Sequence, residues 1–233
     1  MGNWRKTDKW RPGRTGTASG GFAVEEAETG QLGFAKPNQV AQEKISSDLA
    51  REVGAPVPEV RLERPEGHAG LVAVSLSHGS VSDDITRLRE RDPALYSSRS
   101  VQQAIGNASG LLPFHAWVKT PDLKDDHLVV SQDAPGGYAV AGIDFANSMT
   151  WGNPQEAVEA PSGPPALIGN VDRQAVSAVV EKIAACTDEV IERVVNQIPD
   201  ELLAQSEKQR IIEGLKARRS GVRDAMRQRG WLP

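Results

Sequence analysis

The hydrophobic pattern of this chain changes period within a few residues of Lys36. Upstream, "GFAVEEAE" (21–28) and "QLGFAK" (31–36) are short runs of strand type. The Thr-Gly pair between them supplies a tight turn, so together they read as a β-hairpin. Downstream, Val40, Ile45, Leu49 and Val53 fall on roughly one face of a helix, which Gly54 stops. "APVPEVRLE" then reads as extended, because its prolines exclude helical geometry for the residues before them. "AGLVAVSLSH" (69–78) has the uniform apolar character of a buried strand. The order strand, strand, helix, strand, strand makes a small α+β lobe.

The second part of the chain reads differently. "HGSVSDD" is turn-like, and helical patterning resumes from about Val101 through Val118. "HLVVSQ" and "YAVAGIDF" are short strands joined by the turn "DAPGG", giving a hairpin over 128–145. "WGNPQEAVEAPSGPP" (151–165) is rich in proline and glycine and reads as a loop. Everything after it has helical spacing. Asp172 reads as the N-cap of a helix that Pro199 ends, and Ser206 as the first residue of a capping box for a last helix running to Gly230. The expected fold class is therefore α+β and bilobal. A small β-rich N-lobe covers residues 1–79, and a mostly helical C-lobe covers 80–233 with a loop-and-hairpin unit at 122–145.

Composition narrows the classes of function. The 233 residues suffice for one large domain or two lobes sharing a cleft. With 39% hydrophobic and 25% charged residues the chain is of globular type. A net charge of −4 argues against nucleic-acid binding by the whole surface. The single cysteine, Cys186, excludes an internal disulfide framework and a cysteine-based zinc site. No apolar stretch has the length of a membrane span, and the basic start "MGNWRKTDKWRPGRTG" is followed by no signal-peptide core, so a cytoplasmic location is expected.

The residues with chemical potential flank the second hairpin. Asp122 stands in a loop leaving a helix, with His127 five residues on, and Asp144 ends the second strand. A hairpin brings its two ends together, so the three converge. Converging carboxylates call for a cation or a substrate proton. Taken alone, Lys36 is open to two readings, a solvated strand-end charge or a group that grips phosphate. Asp122, Asp125 and Asp126 lack the glycine and distal glutamate of an EF-hand loop. His68, His78 and His115 show no metal-ligand spacing.

In order and spacing these elements resemble the protein-kinase-like superfamily, in its HipA-like and phosphatidylinositol-kinase-like branch. That branch has a strand lysine, a helix glutamate, Gly-x-Pro-x-Pro, an aromatic-x-x-Trp catalytic loop with an aspartate, a hairpin, and Ile-Asp-Phe. Here these are Lys36, Glu43, "GAPVPEV", Phe114, Trp117, Asp122, and Ile143-Asp144-Phe145, within roughly residues 17–151. The resemblance implies an ATP-dependent kinase that transfers the γ-phosphoryl group to a hydroxyl on a protein or small molecule. It implies that Lys36 contacts the phosphates and Glu43 holds it. Thr17, Ser19, Gly20 and Gly21 would form the phosphate-covering loop, and Val74, Ser75 and Leu76 would line the adenine pocket. Asp122 would act as base. Asp144, with His127 in the second ligand position, would bind Mg²⁺ or Mn²⁺.

Three positions depart from that pattern. His127 stands for an expected asparagine, which Asp126 would replace after a one-residue shift. Leu123 stands for an arginine and Ala146 for a glycine. These substitutions keep a second reading open, a nucleotide-binding pseudokinase that serves as an interaction module. Between Lys208 and Arg229, eight basic residues stand against two acidic ones. That helix reads either as a solvated face or as a contact for an acidic partner.

Overall fold

The computed structural model describes residues 3–9, 20–77, 80–121, 123–134 and 137–233. A first antiparallel sheet has the strand order β1-β2-β3-β5-β4. Its strands are β1 (Trp4–Lys6), β2 (Phe22–Glu26), β3 (Leu32–Lys36), β4 (Val60–Glu63) and β5 (Val72–Leu76). The helix α1 (Val40–Val53) packs against β4 and β5. The expected hairpin is present, with Phe22 opposite Ala35 and Glu25 opposite Leu32.

Strand β1 lies in a segment whose basic, polar composition gave no strand signal. Its anchor is Trp4, fully buried among Val24, Ala35, Val72, Val74 and Leu76. Gly33 makes room for it. A Cβ at that position would fall 2.6 Å from the Val74 side chain and 3.3 Å from the Trp4 ring. One large aromatic thus recruits a strand that period-2 alternation does not announce.

Helix α1 starts at Gln39, which is left-handed (φ 51°) with no side-chain cap, and ends at left-handed Gly54 (φ 68°). Ser47 fastens the proline segment to it. Its Oγ donates to the Pro58 carbonyl at 2.7 Å and accepts from the Val60 N–H at 2.9 Å.

A second sheet, β6-β7-β8, comprises β6 (Ser80–Asp84), β7 (Leu128–Ala134) and β8 (Gly137–Gly142). The turn expected at 78–84 is instead largely this strand, paired with β7. Its polar residues gave no alternation to read, and the pairing comes from the tertiary fold. Then come α2 (Ile85–Arg91), α3 (Pro93–Tyr96), α4 (Arg99–Asn107) and α5 (Leu111–Val118). The Asp84, Asp92 and Ser98 side chains cap the first three. Every residue of α5 is buried.

After α6 (Pro165–Ile168), Asp172 caps α7 (Arg173–Ala185) through the Gln174 and Ala175 N–H groups, as expected. The helix expected to run on to Pro199 is broken at Cys186. Thr187 accepts from the Val190 N–H and opens α8 (Asp188–Asn196). The last helix is likewise two, α9 (Gln205–Arg219) and α10 (Val222–Gln228). Ser206 lies inside α9, and its N-cap Ala204 has no side-chain bond, so the expected capping box is not formed. The main core spans α1, α4, α5, the β7-β8 hairpin and the C-terminal helices. No helix among the described residues is long and apolar enough to cross a membrane.

Candidate functional site

Lys36 is the last residue of β3 and only 6% exposed. Its ammonium lies 2.6 Å from Glu43 Oε1 on α1 and 3.1 Å from Asp144 Oδ1 beyond β8. Burial opposes its charge, but the two carboxylates outweigh burial and hold its pKa above the ordinary lysine value. Burial likewise raises the Asp144 carboxyl, and Lys36 overcomes this, so its pKa lies below the ordinary value. Glu43 is buried as well, at 2% exposure. Lys36 is therefore not a solvated strand-end charge.

Asp144 follows the β8 terminus by two residues and adopts a left-handed conformation (φ 68°). Aspartate tolerates that region better than most side chains. The Ile143 N–H donates to the His127 carbonyl at 2.9 Å and ties the two ends of the hairpin together. His127 Nε2 then sits 3.6 Å from Asp144 Oδ2 and 3.8 Å from Asp126 Oδ1. Asp126 Oδ1 and His127 Nδ1 are buried without hydrogen-bond partners.

Among the described residues no three His, Cys, Asp or Glu side chains form a closed metal site. Magnesium does not require one, since it binds through one or two carboxylates and completes its shell with waters and substrate phosphates. The carboxylates of Asp126 and Asp144 both approach His127 Nε2, and their oxygens suit magnesium better than the imidazole does. Asp125 serves the fold instead. Its Oδ1 accepts the Ala166 N–H at 3.0 Å, and Arg89 approaches Oδ2 at 3.4 Å.

The remaining expected residues divide. Asp122, Thr17 and Ser19 lie outside the described residues. Gly20 is left-handed (φ 76°) and lies beside Pro37, the residue after Lys36; Gly21 leads into β2. On β5, Ser75 pairs with Phe34 and Ala73 with Lys36, which puts Ser75 on the Lys36 face of the sheet. Val74 and Leu76 point the other way and pack in the Trp4 cluster. The sheet thus brings Ser75 to the side of Lys36 and leaves its two neighbours away from it.

Two contacts had no sequence signal. Ser46 on α1 and Ser148 past Phe145 share a hydrogen bond of 3.0 Å, and both are fully buried. The helix carrying Glu43 is thereby tied to the loop carrying Asp144. His115 on α5 stacks on Phe145, with ring centroids 4.8 Å apart. Burial lowers its pKa to about 3, so the ring is neutral.

The fold resembles that of solved structures. Helicobacter pylori proinflammatory kinase CtkA superposes with a TM-score of 0.58, over 89% of this chain and 93% of that one, at 13% identity. The fold is kinase-like. Shewanella oneidensis HipA, solved with HipB and operator DNA, aligns at a TM-score of 0.46 and 13% identity, over 88% of this chain and 60% of that one. No protein-family profile matches the sequence, and no curated protein matches it. In this kinase-like fold the basic C-terminal stretch is mostly internal wiring. Lys208 pairs with Asp200 at 2.6 Å, Arg219 with Asp188 at 2.9 Å and Arg223 with Glu181 at 2.7 Å. Of its eight cations only Arg229 makes no ion pair among the described residues.

Proposed function

We propose that the protein binds ATP with a divalent cation and transfers the γ-phosphoryl group to a hydroxyl acceptor. The observation that carries this reading is the buried Lys36 ammonium held between Glu43 and Asp144. Two carboxylates fix the cation at the mouth of the site, where it can meet phosphate oxygens without first being ordered. Asp144 and Asp126 are the carboxylates that would hold Mg²⁺ or Mn²⁺. Such an ion would offset phosphate charge. Gly20 and Gly21 let backbone N–H groups approach the phosphates closely. Asp122, between Pro121 and Leu123 in the chain, takes the proton of the acceptor hydroxyl.

The test is transfer of labelled phosphate from γ-labelled ATP with Mg²⁺ and with Mn²⁺, set against Asp122→Ala and Asp144→Ala. Transfer that disappears in both variants supports the reading. ATP that neither binds nor turns over with either metal rejects it.

A second reading is supported by Leu123 and His127. Leu123 is buried at 7% exposure and offers no charge where the resemblance expects an arginine. His127 stands between the two carboxylates where an oxygen ligand is expected. A nucleotide-binding module without transfer would show ATP-dependent thermal stabilisation and no turnover.

A further inference from the structure

The first sheet meets the rest of the molecule across a thin apolar layer. Its own core, the Trp4 cluster, lies on the face turned away from α1. On the α1 face, Val40, Val60 and Ala73 form a small separate cluster, with Leu62 and Leu202 packed against it. Helix α1 is joined more heavily to the helical lobe. Its Ala41, Ile45, Leu49, Ala50 and Val53 belong to the main core. Ser46 bonds Ser148, and Glu52 pairs with Arg193 of α8 at 2.7 Å. The weaker layer therefore runs between the sheet and α1. The interface that buries less apolar surface opens more readily.

Both ends of β4 are fastened across that layer. At its start, Ser47 of α1 holds the Pro58 carbonyl and the Val60 N–H. At its other end the turn 199–203 reaches over from the helical lobe. Ile198 and Leu203 root that turn in the main core, and Lys208 of α9 holds Asp200 at 2.6 Å. Leu202 packs against both the main core and the Val60 cluster. Glu201 pairs at 2.8 Å with Arg64, which also donates to the Ala69 carbonyl at 3.1 Å in the loop between β4 and β5. Arg64 thus belongs to the sheet and Glu201 to the helical lobe.

We propose that the sheet opens away from α1 as one body, pivoting where Ser47 holds β4, and that the turn 199–203 is the latch that keeps it shut. Helix α1 stays with the helical lobe and keeps Glu43 in place. Lys36 travels with the sheet, so opening draws it off Glu43 and Asp144 together. Leu202 supplies most of the hold, because an exposed ion pair contributes little. The Arg64–Glu201 pair fixes where the turn lands.

Thiol labelling of the full chain without nucleotide tests the joint. In a Cys186→Ser background, Ala73→Cys puts a reporter between the sheet and α1, and Ala50→Cys puts one between α1 and the main core. Both positions are fully buried, so the labelling rate follows the population that has opened there. The reporter at 73 should react at least about tenfold faster than the one at 50. Leu202→Ala should speed labelling at 73 by about tenfold, and Arg64→Glu by about threefold, with position 50 unchanged. Adding Glu201→Arg to Arg64→Glu should restore the slower rate. Val60→Cys, on the β4 side of the same layer, should repeat the ranking and serves if the change at 73 unfolds the chain. Labelling at 50 that keeps pace with 73 would overturn the proposal, since α1 would then leave with the sheet. So would rates at 73 and 60 that ignore Leu202→Ala. A last arm alone rests on the kinase reading. ATP with Mg²⁺, at about ten times its Kd, should slow labelling at 73 by about tenfold. No slowing in a protein whose joint responds to Leu202→Ala would keep the latch and reject that reading.

Discussion

Lys36 and Asp144 are 108 positions apart in the chain and 3.1 Å apart in the fold. Their contact joins the last residue of a strand in the first sheet to the loop that leaves the second. Glu43 completes the arrangement from α1, so one ammonium collects three separate elements.

Removing Lys36 should therefore harm the fold as well as the chemistry. Lys36→Met leaves Glu43 buried without its cation, a loss of about 3–5 kcal/mol by comparison with other broken buried pairs. The melting temperature of a domain this size should fall by about 2–4 °C for each kcal/mol. Lys36→Met combined with Glu43→Leu should recover part of that loss without recovering ATP binding. Calorimetry on the two variants and an ATP titration check both halves.

His115 gives the protein a pH dependence of predictable sign. Its folded pKa of about 3 lies below the unfolded value of about 6.5. Between these limits the unfolded chain takes up a proton that the folded chain refuses. Stability then falls as pH falls, by about 1.4 kcal/mol per pH unit for this one group. His115→Phe keeps a ring against Phe145 and removes the titration. The difference in stability between wild type and variant, followed by denaturant melts from neutral pH to about pH 4, should change with that slope. A flat difference would contradict the buried neutral ring.

The Ser46–Ser148 bond should behave as a pair. Either single change to alanine leaves one buried hydroxyl unpartnered, at about 1–3 kcal/mol. The double change leaves none, and should cost little more than the worse single one. A double-mutant cycle on stability measures this. Running the same cycle on ATP affinity asks whether the tie between α1 and the Asp144 loop also positions the nucleotide site.

Gly214 is predicted to resist even alanine. An added Cβ would fall 2.1 Å from the Trp151 ring, which lies against α9. Tryptophan cannot yield as the tip of a lysine would, so overpacking of about 1–3 kcal/mol or more is expected. Trp151 also donates through Nε1 to the Arg210 carbonyl at 3.3 Å. Gly214→Ala should break that bond and shift the tryptophan emission along with the melting temperature.

Much of this was legible in the sequence, and the residues show why the rest was not. The β2-β3 hairpin, α1 and the strand pair around 128–142 follow from period and turn chemistry alone. The resemblance implied that Glu43 holds Lys36, and the hairpin implied that His127 approaches Asp144; the direct contact of Lys36 with Asp144 was not read. Strand β1 was hidden because its signal is a single tryptophan whose partners lie up to 72 residues away. Strand β6 was hidden because its residues are polar and paired only by the fold. The helix break at Thr187 was present as a capping residue followed by two acidic ones, but the apolar spacing runs across it unbroken. Which face of β5 meets Lys36 was not legible either, because alternation identifies two sides of a strand without saying which one faces a given neighbour.

One guanidinium ties the end of α5 to the loop ahead of α6. Arg218 donates through Nη2 to the Ala116 carbonyl at 2.7 Å and through Nε to the Trp117 carbonyl at 3.0 Å, closing the end of α5. Its remaining nitrogen, Nη1, reaches Glu156 in the loop ahead of α6 at 3.4 Å. A planar, rigid group spans the gap, so the distance between helix and loop is gauged by the dimensions of that plane. A lysine at 218 would keep the charge and lose the gauge, since a point charge on a flexible stem fixes no spacing. The spacing of the loop from the helix is written in that one side chain.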